Sequence, residues 1–310
     1  MDGYKKIFRS QVFRMRILKA LEWIPDKEMV KLQYRIKMGR KLDLENPQRF
    51  TEKIQWYKLY YRTPLMTKCV DKHEVRNYIK SLGMGEYLIP ELGVWSRTKD
   101  IEWDKLPERF ILKTTNGSES NVFVHNKKVA DKRDICKKLD NWLTQTNLNY
   151  GREWAYNGVI PRIIAEPIIS SDDQHGQGLD DYKFFCFNGQ IKMMWIDYDR
   201  FGTHKRVLYN PDGEPLNVSC TYVRPEDFKY PKEEFEVLIP IAQELSRAFP
   251  HARIDLYYVN KKPCFGEITF YSGSGYEPFD SDEYDLELGS YFKLPNKTIM
   301  FPQNSGGGTK

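Results

Sequence analysis

Two carboxylates, Asp255 and Glu267, sit in the run ARIDLYYVNKKPCFGEITFYSGSG (252–275). IDLYYV and CFGEITF read as strands joined by the three-residue loop Asn260-Lys261-Lys262. Counting back from that loop sets Val259 against Pro263 and Asp255 against Glu267. Side chains directly opposite in an antiparallel pair stand about 5 Å apart, and like charges there destabilise the ladder unless something offsets them. A divalent cation would do so. Mg²⁺ takes a few carboxylate oxygens and fills its other positions with water and substrate phosphates, so two opposed acids suit a nucleotide-bound metal. Thr269 shares the face of Glu267 and can add a hydroxyl oxygen.

Three further positions give the pair a context. Lys113 ends the strand RFILKTT (109–115), which runs into the polar loop Asn116-Gly117-Ser118-Glu119-Ser120. Small polar residues there let backbone N–H groups approach phosphate oxygens. Glu166 closes the strand PRIIAEPII (161–169) before a change of direction at Pro167, and Lys183 lies in DYKFFCFNGQIKMMWIDYD (181–199). Asn188-Gly189 inside that run predicts a hairpin, because the dipeptide tolerates the positive φ angles of a type I′ turn. A single strand lysine is ordinarily a surface residue; the order of these residues carries the signal. No Gly-x-Ser-x-Gly elbow and no Cys/His grouping offers a covalent nucleophile.

The elements that must position these groups are also legible. DKHEVRNYIKSLG (71–83) predicts a helix with Asp71 and Glu74 as a capping box and Gly83 as its stop. Further helices are expected near 131–145 and over 232–249, the latter presenting Phe235, Leu238, Ile239, Ala242, Leu245 and Phe249 on one face. The first forty residues interleave basic and apolar side chains with helical spacing, Phe13, Ile17, Leu18 and Leu21 on one side, and suit either docking on the body or an anionic surface. Between Asn46 and Lys68 the run is rich in aromatic and basic residues. Trp56, Tyr57, Lys53 and Lys58 are candidates for holding a sugar acid, with core packing as the competing role for the rings.

Composition bounds the class. The chain has 310 residues, 40% hydrophobic and 14% aromatic, enough for two or three lobes with real cores. Five scattered cysteines with no metal-ligand spacing are expected to be reduced and structural. A net charge of +5, spread among alternating acids and bases, gives no indication of nucleic-acid binding. The N-terminus lacks the apolar stretch of a signal peptide, so a cytoplasmic location is expected, with peripheral contact at the inner face of the membrane through the basic N-terminal helix as an option.

At this point the sequence resembles the ATP-grasp enzymes, and within them the TupA-like group associated with teichuronopeptide and capsular polysaccharide biosynthesis. The resemblance rests on DKHEVRNYI (71–79), FILKTTNGSES (110–120), RIIAEPII (162–169), DYKFFCFNGQIK (181–192) and DLYYVNKKPCFGEITFYSGSGYEPF (255–279), and covers roughly residues 46–295. It implies an α+β fold in which two α+β lobes sandwich the nucleotide after an N-terminal helical region. The expected division is 1–70 for that region, 71–160 for the first lobe, 161–300 for the second lobe with hinge and metal site, and 301–310 for a flexible tail.

The resemblance also implies roles. Lys113 would contact the nucleotide phosphates and the Asn116, Gly117, Ser118 loop would cover them. Glu166, Ile168 and Ile169 would form the adenine hinge, and Asp172 or Asp173 would reach the ribose. Lys183 would be the second lysine, Arg200 or Arg206 would meet the γ-phosphate or acyl phosphate, and Asp255 and Glu267, with Thr269, would hold Mg²⁺. Two departures stand out. Thr269 takes a place that is Asn in many ATP-grasp enzymes, and the phosphate loop has few glycines. The implied activity is Mg-ATP-dependent joining of a carboxylate to an amine through an acyl phosphate, with a uronic acid of a surface glycan as the carboxylate and an amino acid or other amine as its partner. A glycosyltransferase using a nucleotide sugar is the alternative, and a glycan-binding module built on Trp56, Tyr57, Tyr60 and Tyr61 is a third reading.

Overall fold

A computed structural model describes residues 17–298 apart from 19, 118–119, 145–150, 170–177, 200–201 and 229. The expectations for Phe13, Ser118, Glu119, Asp172, Asp173, Arg200 and the tail lie outside the described residues.

A first helix, α1 (Asp26–Met38), carries Asp26 and Glu28 in its first turn and Arg35 and Lys37 in its last, complementing the helix dipole. It ends at Gly39, whose φ of 71° lets its N–H turn back to the Arg35 carbonyl. Helices α2 (Phe50–Tyr60), α3 (Pro64–Val70) and α4 (Val75–Ser81) follow. Asp71 accepts hydrogen bonds from the N–H groups of His73 and Glu74, at 2.8 and 3.0 Å, just ahead of α4. Only half of the expected capping box forms, because the Glu74 carboxylate turns to Arg162 instead.

Four strands, β1 (Gly93–Trp95), β2 (Phe110–Thr114), β3 (Asn121–Val124) and β4 (Ile163–Pro167), make an antiparallel sheet in the order β1-β4-β2-β3. Helix α5 (Lys132–Thr144) covers it, placing Ile135 and Leu139 against Phe110, Leu112, Ile163 and Ala165. The lobe boundary expected at 161 therefore needs correction, since 163–167 is a central strand of the first sheet. The start of that lobe moves as well: Val75 and Ile79 of α4 pack in the large core around the other sheet.

That second sheet contains β5 (Asp181–Phe187), β6 (Gln190–Tyr198), β7 (Lys205–Tyr209), β8 (His251–Val259) and β9 (Lys262–Thr269), antiparallel in the order β7-β6-β5-β8-β9. Asn188 and Gly189 make the predicted turn with φ of 48° and 76°. Helix α6 (Lys232–Ser246) covers one face, where Phe235 meets the rings of Tyr182 and Phe184 at 6.4 and 6.3 Å. Phe50 of α2 covers the other, 6.0 and 5.9 Å from Phe185 and Phe187. Side chains alternate along a strand, so Lys183 and Asp181 share the face of Phe185 and Phe187. One half of that face is apolar and takes α2; the other half is charged.

The aromatic run at Asn46–Lys68 serves this packing. Trp56, Tyr57 and Lys58 are buried, and Lys53 donates to the carbonyls of Gly289 and Phe292 at 2.8 and 2.9 Å, next to the C-terminal end of α7 (Asp282–Tyr291). The expected sugar-acid contacts are thus corrected: Trp56, Tyr57 and Lys58 are committed to the core, and half-buried Lys53 is held by backbone carbonyls.

Candidate functional site

The charged half of the second sheet is set by cross-strand register. Asp181 pairs with Asp197, Lys183 with both Trp195 and Asp255, Asp197 with Arg206, Arg253 with Thr269, and Asp255 with Glu267. All these side chains rise from one face. The expected opposition of Asp255 and Glu267 is present, but by a different route. The turn is only Asn260-Lys261, with φ of 50° and 62°, and sets Val259 against Lys262. An extra residue at Gly266 then shifts the register between Leu256–Phe265 and Asp255–Glu267. A Cβ at Gly266 would lie 2.9 Å from the Asp255 carbonyl oxygen, so the bulge requires glycine.

Arg253 ties the two acids together. Its Nε and Nη2 donate to Asp255 Oδ1 and Oδ2, both at 2.7 Å, while Nη2 also reaches Glu267 Oε1 at 3.1 Å and Thr269 Oγ1 at 3.2 Å. Thr269 donates to Glu267 Oε1 at 3.0 Å. Lys183 ion-pairs with Asp181, with Asp255 Oδ2 at 3.2 Å and with Asp197 Oδ2 at 3.6 Å. Cations of the chain thus offset the carboxylate repulsion. Burial pushes the Asp255 carboxyl up to about 6, with Glu267 adding to the effect against the pull of Arg253 and Lys183. Glu267 is half exposed; partial desolvation would raise its carboxyl, but Arg253, Lys72 and Lys183 outweigh this and hold it below the usual carboxylate range. Burial lowers Lys183, yet Asp181 and Asp255 outweigh it and keep the ammonium charged.

A cavity of about 330 Å³ lies over this face and is closed by the first sheet. Lys113 and Glu166 enter from β2 and β4, Gly117 from the loop after β2, and Lys183, Arg206, Asp255 and Glu267 from the second sheet. Lys113 Nζ meets Glu166 Oε2 at 2.6 Å, and Arg76 Nη1 stands 3.7 Å from the other oxygen. The Lys72 ammonium binds the Gly117 carbonyl. Arg206 is buried between the rings of Trp195 and Tyr222, 3.9 and 4.8 Å from their centroids, and donates to Asp197 Oδ1 at 2.6 Å. Asn116, Ile168 and Ile169 do not line the cavity; the two isoleucines follow the end of β4 and are half-buried. Thr269 lines an adjoining cavity instead.

Sequence reasoning missed Arg253, Lys72, Arg76, Asp181, Asp197 and His204, all of which line the cavity. Arg253 carried a usable signal, since it lies two residues before Asp255 and must share its face. Asp181 stood in the same relation to Lys183. Among the described residues no group of three or more His, Cys, Asp or Glu side chains is arranged to hold a metal.

Two sheets that close on a cavity, each contributing a lysine, with paired acids on a hairpin of the second, define an ATP-grasp architecture. The chain belongs to the TupA-like ATPgrasp family, whose model it matches over residues 52–293. No curated protein matches it. Similar solved structures include an L-amino acid ligase from Bacillus licheniformis, with 16% identity, 83% of this chain and 57% of that one covered, and a TM-score of 0.45. A D-alanine–D-alanine ligase from Bacillus anthracis complexed with ATP has 15% identity, 65% and 55% coverage and a TM-score of 0.39. The chain thus spans little more than half the length of these structures. Among the described residues, no helix is long and apolar enough to cross a membrane.

Proposed function

We propose that the chain is an ATP-dependent carboxylate–amine ligase that forms an amide through an acyl phosphate. The observation that supports it most is the convergence of Asp255, Glu267 and Arg253 on the floor of a cavity whose roof supplies Lys113. Asp255 Oδ2 and Glu267 Oε1 are both within hydrogen-bond distance of one atom, Arg253 Nη2, so the two carboxylates are close enough to share one cation. The two carboxylates would hold Mg²⁺, which would supply positive charge to the nucleotide phosphates.

The chain's own groups do the rest. Lys113 binds nucleotide phosphates on leaving Glu166, with Gly117 beside them. Lys183, held charged by its three aspartates, and Arg253 meet the negative charge that develops on the transferred phosphoryl group, where fixed cations in a partly enclosed site act strongly. Arg206, held by Asp197, adds positive potential to the cavity lining. The Glu166–Ile169 segment is the proposed adenine hinge through its backbone groups. The family association supports a uronic acid of a surface polysaccharide as the carboxylate and an amino acid or other amine as the acceptor.

Thermal stabilisation of the purified protein by ligand tests the nucleotide assignment. Mg-ATP at saturating concentration raises the melting temperature, whereas UDP-glucose with Mg²⁺ does not. Stabilisation by the nucleotide sugar alone would replace the ligase with a glycosyltransferase.

A further inference from the structure

The two sides of α1 differ sharply. On the inner side Met29, Val30, Gln33 and Tyr34 are buried, and the Tyr34 hydroxyl meets Thr51 Oγ1 at 2.8 Å. Arg152 fixes the first turn by donating to Asp26 Oδ1 at 2.9 Å. The helix is thus held on the body, and its outer side is turned to solvent. There Leu32 and Ile36, one turn apart, are 43% and 50% exposed, and Trp23, three residues ahead of the helix, is 79% exposed. Lys31 and Arg35 run beside the apolar pair with the same spacing.

Single exposed apolar side chains are ordinary on a protein surface. These coincide with a charge asymmetry. Residues 1–41 hold twelve Lys and Arg against four Asp and Glu, a net charge of +8; the whole chain carries +5, so residues 42–310 are net −3. An anionic plane attracts this end and repels the rest, which decides the side that approaches it. A dissolved polyanion would answer the charges but leave Trp23, Leu32 and Ile36 in water. A bilayer interface answers both, because indole settles at headgroup level and aliphatic side chains enter the acyl boundary below it.

We propose that Trp23 and the outer face of α1 dock peripherally on a membrane bearing anionic lipid headgroups. The inference stands independently of the reaction proposed above. Its structural link to the site is Tyr276, whose ring lies 6.4 Å from that of Tyr34 on the inner side of α1. Gly273 and Ser274, just ahead of Tyr276, line the cavity that adjoins the nucleotide space. The two roles open to this end of the chain in sequence, packing on the body and meeting an anionic surface, thus fall on opposite faces of one helix.

The full chain is sedimented with vesicles of phosphatidylcholine alone, or of phosphatidylcholine and phosphatidylglycerol in equal parts. Binding is expected with the anionic vesicles only and weakens as salt is raised. Lys31→Gln with Arg35→Gln, and separately Leu32→Gln with Ile36→Gln, each lower it about tenfold or more while the melting temperature holds, since these side chains lie outside the core. Lipids brominated on their acyl chains quench part of the tryptophan emission, and that part is missing in Trp23→Phe. Equal binding to neutral vesicles, or none to either kind, overturns the proposal. So does a Leu32→Gln, Ile36→Gln variant that binds like the wild type, or bromine quenching that is unchanged in Trp23→Phe; either result marks a surface for polyanions in general. A wild-type dimer that the same double variant splits into monomers, without vesicle binding by either, assigns the face to a second copy of the chain and overturns it as well.

Discussion

Arg253 Nη2 and Glu267 Oε1 meet at 3.1 Å on the wall between the two cavities, and the same nitrogen holds Asp255. The guanidinium thus occupies the junction of both acids, where a phosphoryl group carrying a metal would arrive. Replacing it affects stability as well as turnover. Arg253→Ala leaves Asp255 buried without its bidentate partner, and breaking a buried pair in this way costs about 3–5 kcal/mol. Urea denaturation should show the loss. Arg253→Lys keeps a charge but not the fork, and should lower ATP turnover by about two orders of magnitude while recovering much of the stability.

Gly266 gives a sharper test of geometry. Gly266→Ala places a Cβ against the Asp255 carbonyl oxygen, at 2.9 Å, and the bulge must shift. A destabilisation of about 1–3 kcal/mol is expected, together with a higher Mg²⁺ requirement in ATP turnover. An alanine variant with wild-type metal dependence would show that the bulge does not set the acids.

How far sequence reached is clearest at this hairpin. The loop was expected one residue too long and the bulge was not foreseen, and the two errors cancel at Asp255 and Glu267. Alternation along β5 and β8 made Lys183 and Asp255 legible because the period is local. The placement of β4 beside β2 was not legible, since pairing of a central strand depends on residues far away in the chain. Trp56 and Tyr57 look like ligand-binding rings in sequence because aromatic character is the same in a core and in a sugar site; burial alone separates them.

Lys113 and Lys183 face the first cavity from opposite sheets. Lys113→Ala and Lys183→Ala should each weaken ATP binding by about 1.5–3 kcal/mol in calorimetry, the range of a charge-assisted hydrogen bond. The second should also destabilise the fold, because Asp181, Asp197 and Asp255 lose a shared cation. Unaltered affinity in both variants would remove the lysines from the nucleotide site.

His251 sets a dependence on pH that is independent of the site's own acids. It is fully buried, donates from Nδ1 to the Cys186 carbonyl at 3.0 Å, and burial lowers its pKa from 6.5 to about 3. The folded state therefore disfavours the protonated ring. Its contribution is fully present above pH 6.5 and is lost as pH falls toward 3, at about 1.4 kcal/mol per pH unit. Stability curves of the wild type and His251→Phe should converge in slope above that window and diverge within it, the variant losing less on acidification. Parallel curves would contradict the assignment.

The central claim, that Asp255 and Glu267 support activation of a carboxylate by ATP, is tested most directly by trapping with hydroxylamine, which converts acyl phosphates to hydroxamates. A set of sugar acids, D-glucuronate first, is incubated with the protein, Mg-ATP and hydroxylamine. The account predicts hydroxamate and ADP in equal amounts, dependent on Mg²⁺, with both products lost in Asp255→Asn and Glu267→Gln variants that remain folded. Hydroxamate formation that survives both substitutions, or its absence with every acid while a nucleotide sugar is consumed, would contradict it.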